Sequence, residues 1–86
     1  MRDMEYVVKD SLGIHARPAG ILVKVAKKYK SAISLTTRDG RTADMKRLFG
    51  IMQLCIKQGH DIMVTVNGED EDAALAELKY TIENNL

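Results

Sequence analysis

The apolar residues of this chain change their period within its first half. From Ala16 to Tyr29 the positions Ala19, Leu22, Val23 and Ala26 recur at steps of three and four, and Lys24, Lys27 and Lys28 fall largely on the other side. From Ala32 to Thr37, Ile33 and Leu35 alternate with Ser34 and Thr36. The first pattern is the stripe of an amphipathic helix and the second is one face of a strand. A chain of 86 residues that mixes the two has room for one sheet, a cover of helices and a single core.

The remaining segments extend this reading. Met4 to Lys9 includes Met4, Tyr6, Val7 and Val8 and predicts a first strand, with Asp10-Ser11-Leu12-Gly13 as a loop. Pro18 falls in the first turn of the helix, where proline is tolerated. Arg38-Asp39-Gly40-Arg41 supplies turn chemistry between the strand over 32–37 and a short strand beginning near Thr42, which makes a hairpin. Lys46 to Ile56 is predicted as a second helix stopped at Lys57-Gln58-Gly59. Asp61 to Val66 is a strand, Asn67-Gly68 a turn, and Glu69-Asp70-Glu71-Asp72 opens a last helix whose apolar side is Ala73, Leu75, Ala76, Leu78 and Ile82. The predicted order is strand, helix, strand, strand, helix, strand, helix: an α+β fold with a four-stranded antiparallel sheet and three helices on one face. No repeat, low-complexity segment or linker divides the chain, so residues 1–86 are expected to form one domain.

Composition narrows the function classes. Charged residues make up 29% of the chain, too many for a membrane-spanning protein. The start, Met1-Arg2-Asp3-Met4-Glu5, has acids where a secretory signal is apolar, so a cytoplasmic location is expected. Cys55 has no internal disulfide partner, and between Leu54 and Ile56 it is expected to be a buried small hydrophobe. Net charge is only +1, yet residues 1–60 hold twelve Lys/Arg against five Asp/Glu, and residues 61–86 hold one against seven. One part of the surface is therefore expected to be basic, which suits nucleic acid, phosphate or an acidic protein. His60 follows Gly59 with no ligand-spaced cysteine or acid beyond Asp61 and is expected to be a solvated turn residue; no metal and no cofactor are predicted.

Chemistry is most plausible at Gly13-Ile14-His15-Ala16-Arg17-Pro18-Ala19. His15 stands at the N-cap position of the first helix, and the amides of Ala16 and Arg17 are among that helix's first, unpaired donors. Phosphoryl transfer through histidine needs a neutral ring nitrogen as nucleophile and compensation for the charge that arrives on the phosphoryl oxygens. The positive helix end and the forked guanidinium of Arg17 offer that compensation. By residues alone, a surface cap beside a solvated arginine stands as the competing reading.

That run closely resembles the active-site signature of the HPr family, the histidine phosphocarriers of the bacterial sugar phosphotransferase system. The resemblance extends over essentially the whole chain, through Lys46-Arg47-Leu48-Phe49-Gly50-Ile51-Met52 and Gly68-Glu69-Asp70-Glu71. It implies an open-faced β-sandwich. It also implies that His15 receives a phosphoryl group on Nδ1 from enzyme I, charged by phosphoenolpyruvate, and passes it to IIA proteins. On that reading Arg17 contacts the phosphate, and the chain is a phosphoryl-transfer intermediate with no turnover of its own. Leu48, Phe49 and Met52 match the family's partner-binding positions, with Gly20, Lys24 and Arg47 nearby, although Phe49 and Met52 could equally be core.

Two positions depart from the family. Many Gram-positive relatives carry a regulatory serine directly after the lysine of the second-helix segment, and this chain has Arg47 there. Arg47 is a poor N-cap, and its charge is unfavourable at a helix amino end unless it turns toward a partner. Gly20 stands inside the first helix, where glycine costs about 1 kcal/mol against alanine. These departures keep a second class open, an HPr-shaped module that docks to a regulator. A third class, a small nucleic-acid binder, is disfavoured because Tyr6 is the only aromatic placed in a strand.

Overall fold

The structure is a computed structural model that describes residues 1–86. Alternation sets the sheet. In β4 (Asp61–Asn67) Ile62, Val64 and Val66 are buried, while Asp61, Met63 and Thr65 between them are only half-buried. β4 pairs antiparallel with β1 (Arg2–Val7), matching Met4 to Val64 and Tyr6 to Ile62. On its other side it pairs antiparallel with β2 (Ala32–Thr37), matching Ile33 to Val66 and Leu35 to Val64. The short β3 (Thr42–Asp44) closes a hairpin on β2 and gives the order β1-β4-β2-β3. One face therefore carries Ile33, Leu35, Ile62, Val64 and Val66, and a one-residue slip would turn all of them to water.

The helices cover that face. α1 (Ala16–Ala26) buries Ala19, Leu22, Val23 and Ala26, the predicted stripe, together with Pro18 and Val25. α3 (Glu71–Asn85) buries Ala74, Leu78, Thr81 and Ile82. α2 (Leu48–Gln53) is a short helix whose buried residue is Ile51. The core joins 20 apolar residues from all three helices and the sheet. Leu22, Leu35 and Leu78 are fully covered, and truncating any one to alanine should cost about 2–5 kcal/mol.

The element order and the open antiparallel sheet agree with the sequence reading, and the boundaries differ in instructive places. α1 ends at Ala26, not Tyr29, because the chain must turn toward β2 through Lys28–Ser31. α2 begins at Leu48 and ends at Gln53, well before Gly59. Its stop is Cys55, which has a φ of 51°, the left-handed turn that glycine usually supplies. This overturns the expectation that Cys55 is buried: the turn directs its side chain outward, and the thiol is exposed. Tyr6 lies in register with Ile62 on the helix-covered face, so the solvent face of the sheet presents no aromatic platform.

Candidate functional site

Gly13 lets the loop before α1 come close to the chain leaving α2. Its φ is 68°, and a Cβ there would meet the carbonyl of Ile56 and lie 2.6 Å from the Cα of Lys57. Ile14 donates its amide to the Ile56 carbonyl at 2.9 Å and buries its side chain. His15 follows as the N-cap, with an extended backbone (φ −103°, ψ −173°) and no side-chain cap bond. Its ring is not taken up in capping the helix. Its carbonyl accepts the amide of Ala19 at 3.0 Å, the first bond of the helix.

The amides of His15, Ala16 and Arg17 have no acceptor within the protein, and Pro18 has no amide to offer. Proline thus deletes the fourth of the first-turn donors, the one farthest from the helix end, and leaves the other three. Arg17 is exposed and makes no ion pair, and the same holds for Lys24 farther along α1 and for Lys27 at its C-cap. Arg17 and Lys24, seven residues apart, lie on one side of α1, and Lys27 follows as its C-cap. Gly20 is half-buried, no heavy atom would lie within 4 Å of a Cβ added there, and nothing in the structure explains a glycine at this position.

α2 runs back along α1. The bond from Ile14 to Ile56 ties the start of α1 to the exit of α2. At the other end Lys46 donates its Nζ to the Tyr29 carbonyl at 2.8 Å, and a shallow groove joins Lys27 to Arg47 and Phe49. Met52 therefore lies toward His15 and Arg47 lies a helix length away. Phe49 is 76% exposed and Met52 37%, which removes both from the core, while Leu48 is half-buried against it. Arg47 is the N-cap of α2 without a cap bond, and its guanidinium turns back to Asp44 at 3.8 Å.

Shifted acid–base groups lie elsewhere. Asp70 is held below the usual aspartate range by the Ser31 hydroxyl and then by the amide of Lys30, and Glu77 is held down by Lys28 and the Tyr29 hydroxyl. Both carboxylates brace the turn between α1 and β2. His60 is exposed, its Nδ1 accepting the Lys57 amide at 3.1 Å, as a turn residue should. A hollow of about 660 Å³ bounded by β1, β2 and β4, lined in part by Tyr6, Lys9 and Met63, contains none of the candidate residues. No cluster of three metal-ligating side chains occurs, and no helix is long and apolar enough to cross a membrane. Sequence reasoning passed over two features of the site, Leu12, which is 71% exposed, and Asp10, whose carboxylate accepts the Leu12 amide. An aspartate two residues before a glycine-flanked amide was the available signal.

The family described as "PTS HPr component phosphorylation site" matches residues 3–84. The phosphocarrier protein HPr of Mycoplasma genitalium is 39% identical over 85 residues, covering 99% of this chain and 97% of that protein. A solved histidine-containing phosphocarrier protein of Mycoplasma superposes with a TM-score of 0.93 at 30% identity, covering 96% of this chain and 93% of that one. The Bacillus subtilis catabolite repression protein Crh, solved as a swapped dimer, superposes at 0.77 with 29% identity, covering 100% and 98% of the two chains.

Proposed function

The chain belongs to the HPr family of phosphocarriers, and we propose that it acts as one 86-residue domain that accepts a phosphoryl group on His15 from enzyme I and passes it to IIA proteins. The carrying observation is the open end of α1: a histidine freed from capping, beside three amides without acceptors and an arginine without a carboxylate. In the forward step Nδ1 attacks phosphorus, the N–P bond forms, and the bond from phosphorus to the donor protein breaks with its electron pair leaving on the donor. The free amides of Ala16 and Arg17 and the Arg17 guanidinium take up the charge on the phosphoryl oxygens. The second step reverses this toward a IIA acceptor. His15 is returned unchanged, so the protein is an intermediate and not a turnover enzyme, and it needs neither metal nor cofactor.

Partners dock on the surface formed by Leu48, Phe49 and Met52 with Gly20, Lys24 and Arg47, apolar at the centre and basic around it. Such transient contacts suit a cytoplasmic shuttle. A regulator-docking role of the kind suggested by Crh is the second reading, and the retained His15 and Arg17 favour transfer. With Arg47 in place of a serine, a serine kinase acting on Gram-positive relatives should leave the protein unlabelled.

The test is incubation with enzyme I and phosphoenolpyruvate, followed by intact mass. Acid-labile, base-stable phosphate should appear on the protein and vanish in His15→Ala, then move to an added IIA domain. Equal labelling of both proteins would refute the proposal. Label that reaches His15 and no IIA protein would favour the regulatory reading.

A further inference from the structure

The segment that presents His15 is held by acceptors that lie outside the phosphoryl site. Lys9 and Asp10 both donate their amides to the main-chain oxygen of Leu86, Asp10 at 2.8 Å, and the Leu86 side chain is itself buried at the end of α3. Asp10 then reverses the chain. Its carboxylate Oδ1 accepts the Leu12 amide at 2.8 Å, and its carbonyl accepts the Gly13 amide at 2.9 Å. Gln58 adds its side-chain amide to the Lys9 carbonyl at 3.2 Å, and Ile14 closes onto Ile56. Five of the six amides from Lys9 to Ile14 are thus satisfied, and the next three are not.

This boundary between bonded and free amides falls one residue before the nucleophile, and Asp10 makes three of the bonds that set it. We infer that Asp10 is a positioning residue for phosphoryl acceptance: the turn closed by its side chain aims His15 and the free amides at one point in solvent. The inference rests on the reading of His15 as the acceptor. A carboxylate is an unfavourable choice here, because it brings negative charge into a loop that must receive an anionic group. Its value therefore lies in the acceptor geometry and not in the charge. Asparagine offers the same oxygen at the same place without the charge, and alanine offers none.

The probe is phosphoramidate, a small donor that needs no protein docking: its P–N bond breaks, ammonia leaves, and the N–P bond to His15 forms. Labelling is followed by intact mass well below the unfolding temperature of each variant. Asp10→Ala should label about fivefold more slowly and exchange the Leu12 and Gly13 amides faster, while Asp10→Asn stays within about twofold of the parent. Asp10→Ser, whose hydroxyl is a weaker turn acceptor, should fall between them and keeps the comparison informative if the alanine variant does not fold. Ser11→Ala should change nothing. Equal rates for the alanine and asparagine variants, faster or slower than the parent, would show that charge and not geometry matters and would overturn the inference. A parent protein that takes no phosphoryl group on His15 from enzyme I or from phosphoramidate would sink the phosphocarrier reading and this inference with it. A labelled parent with an unaffected Asp10→Ala would sink this inference alone.

Discussion

The two ends of α1 are built to opposite rules. At its start, three consecutive amides and a guanidinium are left without acceptors, around a histidine that makes no cap bond. At its far end the turn into β2 is closed from every side. Lys28 and Tyr29 both reach Glu77, the amide and hydroxyl of Ser31 and the amide of Lys30 all reach Asp70, and Lys46 takes the Tyr29 carbonyl. The closed end is bound to α3 across 39 or more residues of sequence, so it holds the fold together. The open end is bound only up to the residue before the nucleophile. Donors left free at a helix mouth are tolerated because water satisfies them, and they become useful when an anion replaces that water.

Substitutions can break this division of labour. The largest effect is expected from Gly13→Ala, which forces a side chain into the Ile56–Lys57 backbone at a φ of 68° and should cost about 3 kcal/mol in urea unfolding as well as activity. Such a loss would show that the open end depends on one tightly packed glycine behind it. Arg17→Ala should slow phosphoryl transfer from enzyme I roughly a hundredfold with no loss of thermal stability, and Arg17→Lys should recover only part of it. A stability loss comparable to that of a core truncation would erase the contrast between the ends. At the closed end Ser31→Ala, removing the hydroxyl of a residue that is 1% exposed, should cost about 1 kcal/mol and leave the labelling rate of the folded protein unchanged.

The smallest expected effect is one of pH. Asp70 and Glu77 titrate lower in the folded chain than their ordinary values, by bonds from Ser31 and Lys28 first. Groups depressed in this way add stability above their unfolded values, and that contribution is lost as the pH falls through the folded ones. Thermal stability should therefore decline as the pH drops below about 4.5, and Asp70→Asn should flatten the decline. A curve that rises toward acid would contradict the assignment of these carboxylates to the closed end.

The regular parts of this fold were legible where they follow local periods, α3 excepted: Leu78 and Ile82 of its predicted side are buried, but Ala73 and Ala76 are exposed, and Ala74 and Thr81 face the core in their place. The stripe of α1 and the alternation of β2 and β4 needed no knowledge of the rest of the chain. The end of α2 was not legible, since Cys55 adopts a left-handed turn without the glycine that normally marks one. Strand order was also silent in the sequence, because β4 enters between β1 and β2 through contacts far apart along the chain. The site divides in the same way. His15 and Arg17 could be read from one short run, but the support from Leu86 and Ile56 arises only on folding. Phe49 could not be separated from the core by its residue type, and its 76% exposure decides the matter.

The free amides at the mouth of α1 also have a genetic consequence. A phosphate site built from side chains can be lost by many single-codon changes, each removing a charge or a hydroxyl. The donors of Ala16 and Arg17 belong to the backbone, so nineteen of the twenty encoded residues supply them equally at either position, and proline alone deletes one. Selection then acts on the shape of the loop and leaves the chemistry of Ala16 free to drift. Among mutants of this chain that lose phosphoryl acceptance, those at position 16 should be rare, and proline should be prominent among them.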